Sequence, residues 1–211
     1  MENPVLIFGA GNLGVTALDI FQRNNVVVYG LLDDQKELHG KEFGDVSVLG
    51  ETDDDGFLKL IGQKCEACVA IGDMRVRKRL VKLLNDRRKV QPVNAIHDRA
   101  VIAASASIGH GNLVAANAVI NAFATVGQHC IIQSGAVVDA QATLGDFVHV
   151  GTGSYINSGV TVENDVFIGT GVTVIAGVTI GKGARIGAGS VVVENVEANA
   201  TVFGNPAKKI S

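Results

Sequence analysis

Residues 137–150 read VVDAQATLGDFVHV, and the fold turns on their spacing. Val138, Leu144 and Val150 stand six apart, and the same step runs outward in both directions without a break. It begins at Ile102 and Ile108, continues through Val114, Ile120, Val126 and Ile132, and ends with Val162, Ile168, Val174, Ile180, Ile186 and Val192. An aliphatic residue at every sixth position over such a length predicts a parallel β-helix. Four residues after each of these positions stand mostly small side chains, among them Ala118, Ala124, Cys130, Ala136, Ala142 and Ser154, which suit a narrow interior. Asn112 is the one that looks out of place there.

Three hexads complete a triangular coil, so residues eighteen apart stack about 4.8 Å from one another, the spacing of neighbouring strands. Columns can then be read directly from the sequence. Val119, Val137, Tyr155, Thr173 and Val191 point outward yet are largely apolar, which predicts a face buried against something else, most simply a second copy of the chain. The column Ala122, Ala140, Ser158, Ala176 is small at every level, and its neighbour Asn121, Asp139, Asn157 is polar. Together they outline a shallow channel that suits either close subunit packing or an extended ligand.

Up to about residue 95 the period is different. VLIFG (5–9), VVVYGLLDD (26–34) and CVAIGD read as strands, and NLGVTALDIFQRN and MRVRKRLVKLL as helices, which is the order of a small α/β unit with a parallel sheet. The chain therefore divides into a Rossmann-like nucleotide-binding domain, 1–95, and a β-helix domain with a closing segment, 96–211. Gly9, Gly11 and Gly14 form GxGxxG around Asn12, between a strand and a helix, where backbone amides can hold phosphate. Asp33 and Asp34 follow at the end of the next strand, where an acidic residue meets a ribose hydroxyl. By this motif alone the site is one for NAD, and an NAD-dependent oxidoreductase is one reading. Only one βαβ half precedes the hexads, however, which favours a mononucleotide such as that of a sugar donor.

Composition limits the partners. A formal net charge of −3 offers no long-range attraction to nucleic acid or anionic lipid, and no apolar run reaches membrane-spanning length. Three cysteines, an odd number, in a chain with no export signal point to reduced thiols and a cytoplasmic location. Cys65 and Cys68 make a CxxC with no second ligand pair near it, so packing at a strand start is favoured over a metal or redox site.

VLIFGAGNLG, YGLLDD, VAIGDMRVR, NAIHDRAVIAASASIGHG, the hexads and the closing VFGNPAKKI, taken in order, resemble the NeuD-like sugar O- and N-acetyltransferases among the hexapeptide-repeat acyltransferases. The resemblance covers nearly the whole chain. It implies a left-handed β-helix, a homotrimer, acetyl-CoA lying between adjacent helices, and a sugar nucleotide held by the N-terminal domain. It makes Gly72, Asp73 and Arg77 nucleotide contacts, although a solvated basic helix face is the competing reading of the arginines. The family's basic histidine lies in a segment of the form Val-Ile-Glu-His-Asp/Glu-Cys-x-Ile-Gly, which here is VVDAQATLG, with Asp139 at the acidic position and Ala140 at the histidine. A second family histidine corresponds to His149, which at nine residues' remove is the one histidine expected to be local to Ala140, and a thioester-facing amide falls near Ser158. Ala176 and the GNPAKK turn, with Lys208 or Lys209, would meet the rest of CoA. The resemblance implies an acetyl-CoA-dependent transferase of a nucleotide-linked sugar in surface-glycan synthesis, with His149 or Asp139 assisting deprotonation. Ala140 keeps a second reading open, a homologue that binds sugar nucleotide or CoA without turnover.

Overall fold

The structure is a computed structural model describing residues 3–210. The chain divides into two compact units, Met1–Asp98 and Arg99–Ser211.

The first unit runs β1 (Val5–Phe8), α1 (Asn12–Arg23), β2 (Val28–Leu32), β3 (Glu42–Phe43), β4 (Val46–Gly50), α2 (Asp55–Leu58), β5 (Glu66–Val69) and α3 (Met74–Arg88). Its sheet has the order β3-β4-β2-β1-β5, with β1 parallel to β2 and β5, and β2 parallel to β4. Val5, Leu6, Ile7 and Phe8 are all buried because β1 is central and covered on both faces, which is why it reads as an unbroken apolar run rather than an alternating one. The sheet is not wholly parallel as expected. Gly44, at φ 64°, closes a tight turn that folds β3 back antiparallel onto β4.

The second unit is the left-handed β-helix, whose crossovers run against the usual right-handed rule. Two-residue strands stack in parallel on three faces. Val101–Ile102, Val119–Ile120, Val137–Val138, Tyr155–Ile156, Thr173–Val174 and Val191–Val192 make the first. The second contains Thr125–Val126, Thr143–Leu144 and Thr161–Val162, and the third Ile131–Ile132, His149–Val150 and Phe167–Ile168. As far as the last coil each strand pairs in register with the strand eighteen residues on, as in Val137↔Tyr155 and His149↔Phe167, whereas Arg185 pairs with Thr201 across a shorter closing coil.

The hexad residues from Val114 to Val192 are no more than 2% exposed. Each such aliphatic side chain contributes about 1.5–3 kcal/mol by burial, so their sum holds the coil closed. Ile102 and Ile108, in the first coil, are only half-buried because no coil covers them on one side. From Gly111 to Gly189 each corner turns through a residue in the left-handed region. Glycine often fills it, but Gln141 (φ 60°) and His129 (φ 57°) adopt it as well.

Asn112 is no misfit. Its Oδ1 accepts from the Cys130 amide at 2.7 Å and its Nδ2 donates to the Gly127 carbonyl at 2.9 Å. Ser154 repeats the device one side chain smaller, donating to the Gly169 carbonyl at 2.8 Å and accepting from the Val172 amide at 3.1 Å. Interior polar side chains thus satisfy corner backbone groups that the aliphatic ladder leaves over. Asn112→Ala strips partners from two such groups and should lower stability by about 1–3 kcal/mol, read as a lower urea midpoint. An unchanged midpoint would show that these bonds contribute nothing.

Candidate functional site

Two clusters of polar groups stand out, one in each unit. In the first, the C-terminal ends of β1, β2 and β5 and the N-termini of α1 and α3 enclose a cavity of about 470 Å³. Gly9, Gly11, Asn12, Asp33, Asp34, Gly72 and Asp73 all line it.

The three glycines have three different reasons to be glycine. A Cβ on Gly9, which sits at φ 112°, would meet the Ala70 carbonyl oxygen at 2.7 Å; a Cβ on Gly14 would strike the Gly9 carbonyl, because α1 packs directly on the loop. At Gly11 a Cβ would meet nothing within 4 Å, so this backbone is open to the cavity. Gly11 is also the N-cap of α1 and has no side chain to offer. The amides of Asn12, Leu13 and Gly14 accordingly have no hydrogen-bond acceptor among the described residues. At α3 the situation is reversed. Asp73 is its N-cap, and its carboxylate accepts from the amides of Arg75 and Val76 at 2.8 and 3.0 Å. Those bonds, led by the one from Val76, hold the Asp73 carboxyl below its ordinary range. Only the start of α1 is left as an anion site.

The two aspartates after β2 differ. Asp33 braces the glycine loop, accepting from the Ala10 amide at 2.8 Å and the Gln35 amide at 2.9 Å. Asp34 accepts from the amide and hydroxyl of Thr52 at 3.0 and 2.6 Å and from Arg79 Nη2 at 2.9 Å. Burial works to raise the Asp34 carboxyl, but the Thr52 bonds and the Arg79 guanidinium together hold it below its usual value.

Arg77 departs from both sequence readings. It is 1% exposed, neither a ligand contact nor a solvated charge, and its Nη1 donates to the carbonyls of Ile71 at 2.7 Å and Gly72 at 3.2 Å. The signal was in the helix period: Arg77, Leu80, Val81 and Leu84 share the buried stripe of α3. Arg79 lies on the exposed side and lines the cavity, as do Leu13, Gln35, Thr52, Ile71 and Val76, none of which the motifs single out.

Cys65 and Cys68 are buried and free, and burial pushes the Cys68 thiol up to about 12, which removes its nucleophilicity near neutral pH. Among the described residues no group of three or more His, Cys, Asp or Glu is placed to hold a metal.

The second cluster lies on the corner between the first and second faces of the β-helix, where Ala140, Ser158 and Ala176 stack. The Gly159 amide donates to the Ala140 carbonyl and the Gly177 amide to the Ser158 carbonyl, both at 3.1 Å. Asp139 is the centre of the cluster. Ser158 Oγ donates to its Oδ2 at 2.6 Å and Asn121 Nδ2 to its Oδ1 at 2.8 Å. The Ser158 hydroxyl, then the Ala140 amide and Asn121, hold the Asp139 carboxyl below the usual carboxylate range. A carboxylate so stabilised is a poorer base than an ordinary one, which counts against Asp139 as the group that deprotonates an acceptor by itself.

His149 is not beside this corner. Its strand belongs to the third face, and in a triangular coil that face lies opposite the corner between the other two. The half-buried ring stacks on Phe167, with centroids 4.9 Å apart, and Arg185 covers the far side of Phe167 at 4.7 Å. The expectation that His149 is local to Ala140 within one chain is therefore corrected. Lys208 and Lys209, on the C-terminal hairpin, pair with Glu194 at 2.9 Å and Glu197 at 2.7 Å. Such exposed pairs are weak, so a competing anion can displace the glutamates at small cost.

Comparison with known proteins decides the family. The PglD N-terminal domain matches residues 4–84 and the bacterial transferase hexapeptide (six repeats) residues 159–194. A histidine-to-alanine variant of GDP-perosamine N-acetyltransferase from Caulobacter crescentus, solved with CoA and GDP-perosamine, is 34% identical over 100% of this chain and 98% of its own, with a TM-score of 0.91. The chain belongs to the NeuD- and PglD-like family of hexapeptide-repeat sugar acetyltransferases. Two further members are similar along their whole length. The acetyltransferase domain of PglB from Neisseria gonorrhoeae, in complex with acetyl coenzyme A, is 27% identical over 100% of both chains with a TM-score of 0.91. WeeI from Acinetobacter baumannii is 26% identical over 98% of this chain and 99% of its own, at 0.87. No curated protein sequence matches the chain. As a member of this family the protein is an acetyltransferase, and the NAD-dependent oxidoreductase reading falls.

Two outcomes follow from the cavity. Arg77→Met should cost about 1–3 kcal/mol in urea unfolding by leaving the Ile71 and Gly72 carbonyls unpaired, whereas Arg75→Ala, on the exposed face, should stay within about 0.5 kcal/mol of the parent. Because the folded state lowers the Asp34 carboxyl, its contribution is present above the ordinary range near 4 and is lost as pH falls through the folded value. Thermal midpoints of the parent and Asp34→Asn should therefore differ at neutral pH and converge as acidification carries the carboxyl below its lowered folded value. A gap that persists in acid would contradict this assignment.

Proposed function

We propose that this protein transfers the acetyl group of acetyl-CoA to the amine of a nucleotide-linked amino sugar, acting as a cytoplasmic homotrimer in surface-glycan synthesis. The observation that carries the nucleotide half is the open first turn of α1. Three amides with no acceptor among the described residues, a glycine without a Cβ and the positive end of a twelve-residue helix make a pyrophosphate site, and the cluster of Asp34, Thr52 and Arg79 supplies polar contacts for the nucleoside. Asp33 acts by bracing the loop, and Asp73 and Gly72 form the opposite lip.

The trimer supplies what one chain cannot assemble. With the edge carrying Gly135, Gly153, Gly171 and Gly189 turned toward a three-fold axis, the third face of one subunit lies against the first face of the next. Val101 and Tyr155, 61% and 52% exposed in the single chain, are thereby covered. The mouth of the cleft then opens between His149 of one copy and Asp139, Ala140 and Ser158 of another. Acetyl-CoA runs along this cleft, its thioester near the Ser158 amide, its pantetheine past Ala176 and its phosphates near Lys208. Ala140 stands where the family carries its basic histidine, and the relative whose histidine is replaced by alanine still holds both CoA and GDP-perosamine, which supports binding that does not depend on that side chain.

Incubation with acetyl-CoA and a panel of GDP- and UDP-linked amino sugars should release free thiol, with mass gain on the sugar. Silence across the panel, with nucleotide still bound, would favour the reading in which the chain binds without turnover. Gly11→Ala is the sharper test of the nucleotide site. It fits the fold, so the melting temperature should hold, while the methyl blocks phosphate and affinity should fall at least about tenfold, or ~1.4 kcal/mol. Equal affinity would move the pyrophosphate elsewhere. Ala140→His should raise kcat by roughly 100-fold if the surrounding corner is competent.

A further inference from the structure

With alanine at position 140, the corner lacks the family's histidine and needs another way to carry a proton from the acceptor to Asp139. The Ser158 hydroxyl is the one side-chain group in the column Ala122, Ala140, Ser158, Ala176 that can donate or accept a hydrogen bond. Its proton is committed: Oγ donates to Asp139 Oδ2 at 2.6 Å. Asn121 fixes the other carboxylate oxygen at 2.8 Å, so the carboxylate cannot rotate away without breaking two bonds. The hydroxyl is thereby oriented with its lone pairs free of the carboxylate, on an exposed residue one coil above Ala140. A hydroxyl held in this way is an acceptor, and an amine offers N–H donors.

We propose that Ser158 is the proton-relay residue of this enzyme, passing the acceptor's proton to Asp139. This rests on the acetyl-transfer reading above. The amine nitrogen of the sugar attacks the thioester carbonyl carbon; a C–N bond forms and the carbonyl π pair moves to oxygen. The cationic nitrogen of the adduct is far more acidic than a free ammonium, and it gives a proton to Ser158 Oγ as the hydroxyl proton moves to Asp139 Oδ2. The oxyanion pair then re-forms the carbonyl, the C–S bond breaks, and the proton returns from Asp139 through Ser158 to the departing sulfur. The products are the N-acetylated sugar and CoA thiol, and Ser158 and Asp139 end as they began. The low proton affinity of Asp139 fits this role, since the carboxylate holds the proton only until sulfur becomes the stronger base.

The test compares the parent with Ser158→Ala and Ser158→Thr in steady-state thiol release and in heavy water. Ser158→Ala should lose roughly 100-fold in kcat with KM for both substrates kept within about threefold, and the solvent deuterium isotope effect on kcat should change. Ser158→Thr, which keeps the hydroxyl, should recover most of the rate. A parent that turns over alongside an equally active Ser158→Ala overturns the relay and leaves acetyl transfer standing. A loss confined to KM, or a loss that threonine does not restore, also overturns it by making Ser158 a packing or binding residue. A silent parent overturns acetyl transfer itself, and the relay with it.

Discussion

The backbone hydrogen bond between strands eighteen residues apart governs the chemistry of this molecule. It places Val137 against Tyr155, His149 against Phe167 and Thr143 against Thr161 without a slip. An aliphatic residue at every sixth position enforces that register, because a shift of one residue would turn the whole inner row outward. Once the register is set, every outward position is assigned to a face or a corner. Asp139, Ser158 and Asn121 are then held within hydrogen-bonding distance although they lie on three different coils. The same register separates His149 from them.

The α/β unit shows a different economy. Its two helices that begin at the cavity are nearly alike in setting, yet one starts from a bare glycine and the other from a capping aspartate. Asp73 satisfies the first amides of α3 from within the chain, and Asp33 takes the Ala10 amide, which among the described residues leaves the first amides of α1 directed into the cavity. A binding site can thus be defined by what the remaining side chains have already satisfied.

Much of this was legible in the sequence. Hexad spacing predicted the β-helix and its columns, and GxGxxG with the paired aspartates located the cavity, because both are short-range patterns with fixed geometry. Arg77 sits in a basic run and in a family-like turn, and both signals hide the apolar stripe of α3 to which it belongs, while Thr52 and Arg79 carry no local pattern at all: Asp34 selects them only after the sheet has formed. Asn112 looked wrong until its amide was seen to close two corner bonds. The left hand of the coil came from resemblance alone, since the period is indifferent to it. His149 was placed beside Ala140 by nearness in sequence, whereas nine residues is half a coil and carries it to the opposite face.

The central claim is that one catalytic site is built from two copies of the chain. Co-expression of His149→Ala chains, which lose the histidine side of the cleft, with Ser158→Ala chains, each expected to be inactive or nearly so alone, tests it directly by the rate of thiol release from the mixed oligomer. If each site takes its histidine face from one copy and its serine corner from the next, about one interface in four is intact in an equal mixture, and roughly a quarter of the parental rate returns. No recovery in oligomers shown to contain both chains would contradict the shared site.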